Sequence, residues 1–304
     1  MLTASHAFFA AYAEIIPDFA AFCDALYTTP PYSLRVNTLR TEPDIVQQML
    51  TKQGYRVTPA CFAEEVLLVE GLTQPGSLLP ALLGYYHPQA LTSALASLVL
   101  APQPGEWVCD LCAAPGSKTT HMAQLMRGEG VIVANDRNDT RMAMLGYNLK
   151  RLGILNVVTT CYTGQNFPLR CKFDRVLVDA PCSGEGTYRW DETGQLLHYR
   201  PSQGDLPRLQ TQLLLRGFDL LNEHGTLLYA TCTYNPAENE AVVQALLEQR
   251  PALVQPITLE VAHCPGLRHW RTDTYDPGME HCWRLYPHYL NSVGFFLACI
   301  RARA

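Results

Sequence analysis

Between residues 107 and 249 short apolar runs alternate with amphipathic stretches, and this alternation constrains the fold more than any other feature of the chain. "GEWVCDL", "GVIVAND", "NVVTTCY", "FDRVLVDA" and "TLLYATC" each read as buried strands. Helical stretches intervene. "APGSKTTHMAQLM" is a turn running into a helix, and "TRMAMLGYNLKRLG" places Met142, Leu145, Leu149 and Leu152 on one face. "LPRLQTQLLLRGFDLLNEHG" is expected to remain helical up to Gly225. In "NPAENEAVVQALLEQ", Asn235 is expected to cap, with Pro236 at the first helical position and Glu238 closing a capping box. "CWRLYP" and "GFFLACIRA" form a terminal hairpin. Strands and helices in this alternation build an α/β fold around a doubly wound, mostly parallel sheet.

The first residues differ in texture. "MLTASHAFFAAYAEIIPDFAAF" has no basic leader and carries Glu14 and Asp18, so it reads as an amphipathic helix and not as a signal peptide. Past Pro30 and Pro31, "YSLRVNTL" (strand), "PDIVQQMLTKQG" (helix), "YRVTPA" and "EEVLLVE" (strands) suggest a small appended α/β domain. The expected division is residues 1–75 for the N-terminal helix and small domain, and residues 76–304 for the larger one. With 48% hydrophobic and 17% charged residues the chain can bury a large core. No run of roughly eighteen apolar residues suggests a membrane span, and the expectation is a cytoplasmic monomer without a membrane partner. A net charge of −5 argues against an unspecific nucleic-acid clamp. It leaves room for a local basic groove from Arg35, Arg40, Lys150, Arg151, Arg189, Arg200 and Arg208, although such scattered basic residues are usually a solvated surface.

Eleven cysteines in a long chain of intracellular character do not describe a disulfide framework. "CDLC" (Cys109 and Cys112) lacks the second ligand pair that zinc needs, and alternation puts Cys109 inside a strand. The histidines of 263–289 match no metal motif either, so no metal is expected and that stretch reads as a surface loop.

Two segments carry chemistry. "CAAPGSKTT" follows the first large-domain strand, where small residues admit a ligand to the backbone and the next helix offers free N–H groups. It is neither G-x-G-x-x-G nor a P-loop. The second strand ends in Asp136, placed either to accept from a ribose diol or to cap the next helix. Turn and carboxylate together favour a nucleoside cofactor. "FDRVLVDA" ends at Asp179 and runs into Pro181 and Cys182, at a strand end where ligands sit. Cys182 there is structural, a metal ligand or a nucleophile, and the second cysteine of "LLYATCTYNP", Cys232, bears on the choice.

"DLCAAPGSKTT", "DAPCSGEGTYR", "YATCTYNPAENE" and "RLYPH…GFFLA", with "SLRVNTL" in the small domain, resemble the Sun family (RsmB/RsmF type) of RNA cytosine-C5 methyltransferases. The resemblance spans nearly all of residues 30–302 and implies a Rossmann-like methyltransferase sheet, a small RRM-like domain, S-adenosylmethionine as cofactor and RNA, ribosomal first and transfer next, as partner. It implies a cofactor site at Cys112, Ala113, Ala114, Pro115, Gly116, Ser117, Lys118, Asp136, Arg141, Thr163 and Asp179. It also implies that Cys232 is the nucleophile. Cytosine C5 cannot attack a sulfonium methyl until a thiolate adds to C6, which is covalent catalysis. Cys182 would assist proton removal or release, Asp179 would hold the base at N3 or N4, and Lys118 would add positive potential. Amino-group methylation needs no cysteine, and DNA-type cytosine methylation would leave Cys232 without a task. A non-catalytic RNA-binding protein on a decayed fold is the remaining alternative.

The chain departs from the family pattern at two places. "YTGQNF" puts Thr163 where an acidic residue is usual, and Gln89 is followed by Ala90 where an acidic residue is usual. The C-terminal RNA-binding domain typical of RsmF-type enzymes is not expected within these 304 residues, so RNA selection is expected from the small domain, the groove or a partner.

Overall fold

A computed structural model describes residues 4–197, 199 and 204–303. The small domain is built as β1 (Tyr32–Val36), α1 (Pro43–Lys52), β2 (Arg56–Ala60), β3 (Ala63–Glu70), a single helical turn Leu79–Leu82, and β4 (Tyr86–Pro88). Its antiparallel sheet runs β2-β3-β1-β4, the order of a ferredoxin-like βαββαβ unit. Leu34, Val36, Val46, Leu50, Leu67 and Val69 close its core. The fourth strand comes from beyond residue 75, so the sheet straddles the expected division.

The large domain continues with α2 (Leu91–Leu100), β5 (Trp107–Asp110), α3 (Ser117–Leu125), β6 (Val131–Asn135), α4 (Asp139–Leu152), β7 (Val157–Thr160), β8 (Phe173–Asp179) and α5 (Leu206–Asp219). Strand Leu221–Thr231, helix Glu240–Gln249 and the final pair Trp283–Leu285 and Phe295–Ala302 complete it. β7, β6, β5, β8 and Leu221–Thr231 lie parallel in that order, and the last two strands join antiparallel. This is the doubly wound sheet expected. One apolar cluster, with Leu95, Met122 and Leu145, fills one face; another, with Leu213, Val243 and Phe296, fills the other. Strand order reverses between β5 and β8, and the crevice at their C-terminal ends is where such a sheet binds ligands.

Three sequence readings are corrected. The N-terminal helix is broken into Ala4–Phe8, a short 3-10 turn and Phe19–Ala25. Pro17 cannot continue a helix, and Asp18 takes a left-handed conformation (φ 46°) from which its side chain caps Ala21 N. These pieces pack on the large domain, where Phe9 and Phe22 meet Trp190, Tyr234 and Tyr286. The α5 helix ends at Asp219, not Gly225, because Leu221 already pairs with Phe173 and the strand resumes after an irregularity at Thr226. The last long helix begins at Glu240, not near Pro236; residues 235–239 form turns instead.

The basic residues do not form one groove. Arg35 and Arg189 are buried, Arg40 and Arg151 bond to the carbonyls of Leu83 and Ala81, and Arg200 lies outside the described residues. Arg35 joins the two domains. It donates to Gln89 Oε1 (2.8 Å), Gln124 Oε1 (2.5 Å) and Thr120 Oγ1 (2.8 Å), and burial pulls its pKa down to about 9. The 263–289 stretch is only partly a surface loop, since Met279, Cys282 and Trp283 are buried and His263 stacks on Trp283 at 4.2 Å. Among the described residues no cluster could hold a metal ion, and no helix is long and apolar enough to cross a membrane.

Candidate active site

β8 and Leu221–Thr231 run side by side, with Asp179 opposite Ala230, so the loops leaving them emerge together. The Ala180 N–H donates to Ala230 O and the Gly186 N–H to Cys232 O, which ties the two loops to each other. The result is a pair of sulfurs: Cys182 Sγ and Cys232 Sγ stand 3.3 Å apart, and the Cys232 N–H donates to Cys182 Sγ at 3.4 Å. Sharing one proton splits them. The hydrogen bond from Cys182 lowers the Cys232 pKa and Lys118 helps, against burial and Asp179, while the same bond and burial push Cys182 up. The charged form therefore belongs at Cys232, with Cys182 as the protonated donor. The helix N-terminus expected near Pro236 is not the cause, since that helix starts at Glu240.

Lys118, on the first turn of α3, donates from Nζ to Asp179 Oδ2 at 2.7 Å and lies 5.3 Å from the centre of the Phe295 ring. Its ammonium thus faces the end of β8. Glu238, expected in a capping box, bends under the Cys182 loop. It accepts from Ser183 N (2.9 Å) and Gln210 Nε2 (2.9 Å), and Gln210 also donates to Pro181 O.

The turn after β5 wraps the neighbouring strand end. Ala113 N donates to Asn135 O, and Ala114 N to Asp136 Oδ2 (3.2 Å). Gly116 has φ 100°, and a side chain there would collide with Leu145 Cδ1 at 2.4 Å, so only glycine fits. Ser117 is held by His87 of β4, Nε2 to Oγ at 2.8 Å. Burial lowers the His87 pKa to about 3, so the ring is neutral; its Nδ1 accepts from Arg151, leaving Nε2–H to donate to Ser117. Arg141 pairs with Asp136 (3.2 Å) and donates to Ala114 O. Asn138, not Asp136, caps α4.

Cys112, Lys118, Asp136, Arg141, Asp179, Cys182 and Cys232 line one cavity of about 890 Å³. Ala113, Ala114, Pro115, Gly116 and Ser117 build the turn beside it. Thr163 is the exception: it is exposed, its hydroxyl accepts from Asn166 Nδ2 (3.2 Å), and Gly164 and Gln165 form that part of the wall. Gln165, Asn138 and Ser183 were not among the site residues read from the sequence. Their only sequence signal is adjacency to the motifs. Burial keeps the Cys112 thiol protonated, which makes it a wall residue.

A nucleoside cofactor fits this geometry. Asp136 sets a buried carboxylate in the wall, Gly116 in the turn after β5 has no room for a side chain, and the cavity is within the size range of ligand sites.

Comparison with known proteins agrees. The family model for the 16S rRNA methyltransferase RsmB/F matches residues 97–301, and that for the RsmF/B-like ferredoxin-like domain matches residues 10–74. The chain is 36% identical over 93% of its length to a human 28S rRNA (cytosine(4447)-C(5))-methyltransferase. It spans only 36% of that protein, and 37–47% of three further eukaryotic rRNA cytosine-C5-methyltransferases. A tRNA (cytosine(49)-C(5))-methyltransferase of Pyrococcus abyssi is 33% identical, covering 94% of this chain and 93% of its own. The crystal structure of a methyltransferase homolog from Pyrococcus horikoshii superposes with a TM-score of 0.84 at 32% identity, over 98% of this chain and 95% of that one.

Proposed function

The chain belongs to the RsmB/F methyltransferase family, and from that premise we propose that it transfers a methyl group from S-adenosylmethionine to C5 of a cytosine in RNA. Ribosomal RNA is the proposed substrate and transfer RNA the next, since relatives with both names span the chain. One observation supports the covalent route above others: two cysteines 3.3 Å apart, one favouring its thiolate and the other its thiol, in the wall of one cavity of about 890 Å³.

In this reading Asp136 and Arg141, with the Cys112–Lys118 turn, hold the cofactor, which when bound supplies an electrophilic methyl group. Cys232 adds to C6 of the cytosine, converting C5 into an enamine carbon able to take the methyl. Asp179, oriented by Lys118, accepts from the exocyclic amine or a protonated N3 and so favours the N3-protonated ring, which offsets the negative charge that the thiolate brings as sulfur adds. Cys182 keeps its proton and hydrogen-bonds to the Cys232 sulfur as the C6–S bond breaks, which stabilises the departing thiolate. The small domain, tied to α3 through Arg35, would present RNA to the cavity mouth.

Cys232→Ala tests the assignment. It should abolish transfer of tritiated methyl groups to RNA while leaving S-adenosylmethionine binding unchanged by calorimetry. Substantial turnover by this variant would move the nucleophile elsewhere. Bisulfite sequencing of total RNA from a deletion strain would identify the cytosine.

A further inference from the structure

The covalent route leaves one proton unplaced. After methyl transfer C5 carries both a methyl group and its original hydrogen, and that hydrogen must leave as a proton before the enzyme is released. Cys182 is poorly placed to take it, because its thiol already carries the proton shared with Cys232. Asp179 is paired with Lys118 at 2.7 Å.

Beside Cys182, however, Ser183 lines the cavity and its hydroxyl is not isolated. Ser183 Oγ lies 2.7 Å from Thr233 Oγ1, and Thr233 Oγ1 donates to Glu185 Oε2 at 3.0 Å. With Thr233 donating to the carboxylate, Ser183 donates to Thr233, and a lone pair of Ser183 remains for a proton arriving from the cavity. The row is fixed from both sides. Tyr12 OH donates to the other carboxylate oxygen, Glu185 Oε1, at 3.1 Å, and the Asn235 N–H donates to Thr233 Oγ1 at 3.3 Å.

We propose that Ser183, Thr233 and Glu185 form a proton relay that drains the C5 proton of the methylated adduct into the Glu185 carboxylate. This rests on the methyltransferase reading above. The C5–H bond breaks and its electron pair forms the C5=C6 double bond, while the C6–S bond breaks and its pair stays on Cys232. The proton goes to Ser183 Oγ, the serine proton moves to Thr233, and the threonine proton moves to Glu185, which becomes a neutral acid. No other reactant is required. Burial raises the Glu185 pKa, as does the neighbouring Glu238, against Thr233, Tyr12 and the Tyr234 backbone, which suits a carboxylate that must accept a proton and later return it to water. Glu185 acts through the two hydroxyls and touches no reacting atom.

The experiment follows both atoms on C5. Ribosomal and transfer RNA transcripts carrying 5-tritiated cytosine are incubated with ¹⁴C-methyl S-adenosylmethionine and the full chain, and tritium release is compared with methyl incorporation. The wild-type protein should release one tritium per methyl group. Glu185→Gln keeps the shape and an acceptor for Thr233 but takes no proton. It should transfer its first methyl group, retain tritium in a ¹⁴C-labelled protein–RNA adduct, and release tritium slower by on the order of a hundredfold. Glu185→Asp should recover part of the release. Equal release and incorporation at the wild-type rate, or both falling in parallel, overturns the relay. Thr233→Val breaks the row between its ends and is read the same way should Glu185→Gln fail to fold. A wild-type protein that neither methylates nor releases tritium overturns the methyltransferase reading itself, a result distinct from an intact wild type with unaffected variants.

Discussion

Cys182 Sγ stands 3.3 Å from Cys232 Sγ and is its main source of pKa lowering. The loops that carry the two thiols leave adjacent parallel strands, so a separation of fifty residues in the chain becomes a van der Waals contact in space. A charge-assisted hydrogen bond of this kind stabilises the thiolate most where water is scarce, and both thiols are partly buried.

Removing Cys182 therefore has two effects with separate readouts. Cys182→Ala should raise the Cys232 pKa, so that alkylation of Cys232 by iodoacetamide reaches half its limiting rate at a higher pH than in the wild type. The variant should also accumulate a covalent protein–RNA adduct, seen as a slower band on a denaturing gel that ribonuclease removes. Wild-type turnover with no adduct and an unchanged alkylation profile would show that the two sulfurs work independently.

Asp110 gives a pH prediction. It ends β5 fully buried, with Thr119 Oγ1 donating to it at 2.7 Å, and its pKa is pushed up to about 7, by burial first and by Asp179 as well. An unfolded aspartate titrates near 3.9, so between roughly pH 4 and 7 the folded state binds more protons than the unfolded one. Stability from this group is fully present below the unfolded value and is lost as pH rises through about 7. Asp110→Asn removes the titration and keeps an acceptor for Thr119. The difference in Tm between about pH 5 and about pH 8 should be smaller in the variant than in the wild type. An unchanged difference would mean that other groups set the pH dependence.

Much of the framework was legible because periodicity and turn chemistry agree there. Five parallel strands, the α4 face with Leu145, Leu149 and Leu152, and both cysteine loops sit where the pattern puts them. The failures are tertiary. Leu221 continues the helical period of α5 but finds Phe173 as a strand partner, and Glu238, which has capping-box spacing, accepts from Asn235 Nδ2 but also from Ser183 and Gln210 beneath the Cys182 loop. The Ser183–Thr233–Glu185 row was invisible because its members come from two loops that meet only once the sheet is assembled.

Ala90 accounts for one departure from the family pattern. It occupies the N-cap position of α2 in extended conformation (φ −61°, ψ 143°) and offers no side-chain acceptor to the first turn. Ala90→Asp should add about 1 kcal/mol by capping the free N–H groups, read as a higher urea midpoint at unchanged slope. No rise would place the carboxylate in conflict with the buried polar network around Gln89.

Thr163 is the position where sequence reading and structure part most clearly. The resemblance places Thr163 in the cofactor site, where an acidic residue is usual. The structure leaves Thr163 in solvent at the start of a 3-10 turn, its hydroxyl taken by Asn166, while Gly164 and Gln165 reach the cavity. A carboxylate at 163 would remain hydrated and outside the wall. Thr163→Asp should therefore change S-adenosylmethionine affinity by less than about twofold, well below the tenfold that about 1.4 kcal/mol would bring. Gln165 lines the cavity, and Gln165→Ala should weaken binding by about fivefold, the worth of one neutral hydrogen bond near 1 kcal/mol. Calorimetric titration of the three proteins in one buffer separates the cases. Tenfold tighter binding by Thr163→Asp with no loss in Gln165→Ala would mean that the loop after β7 turns its other residue inward when the cofactor arrives.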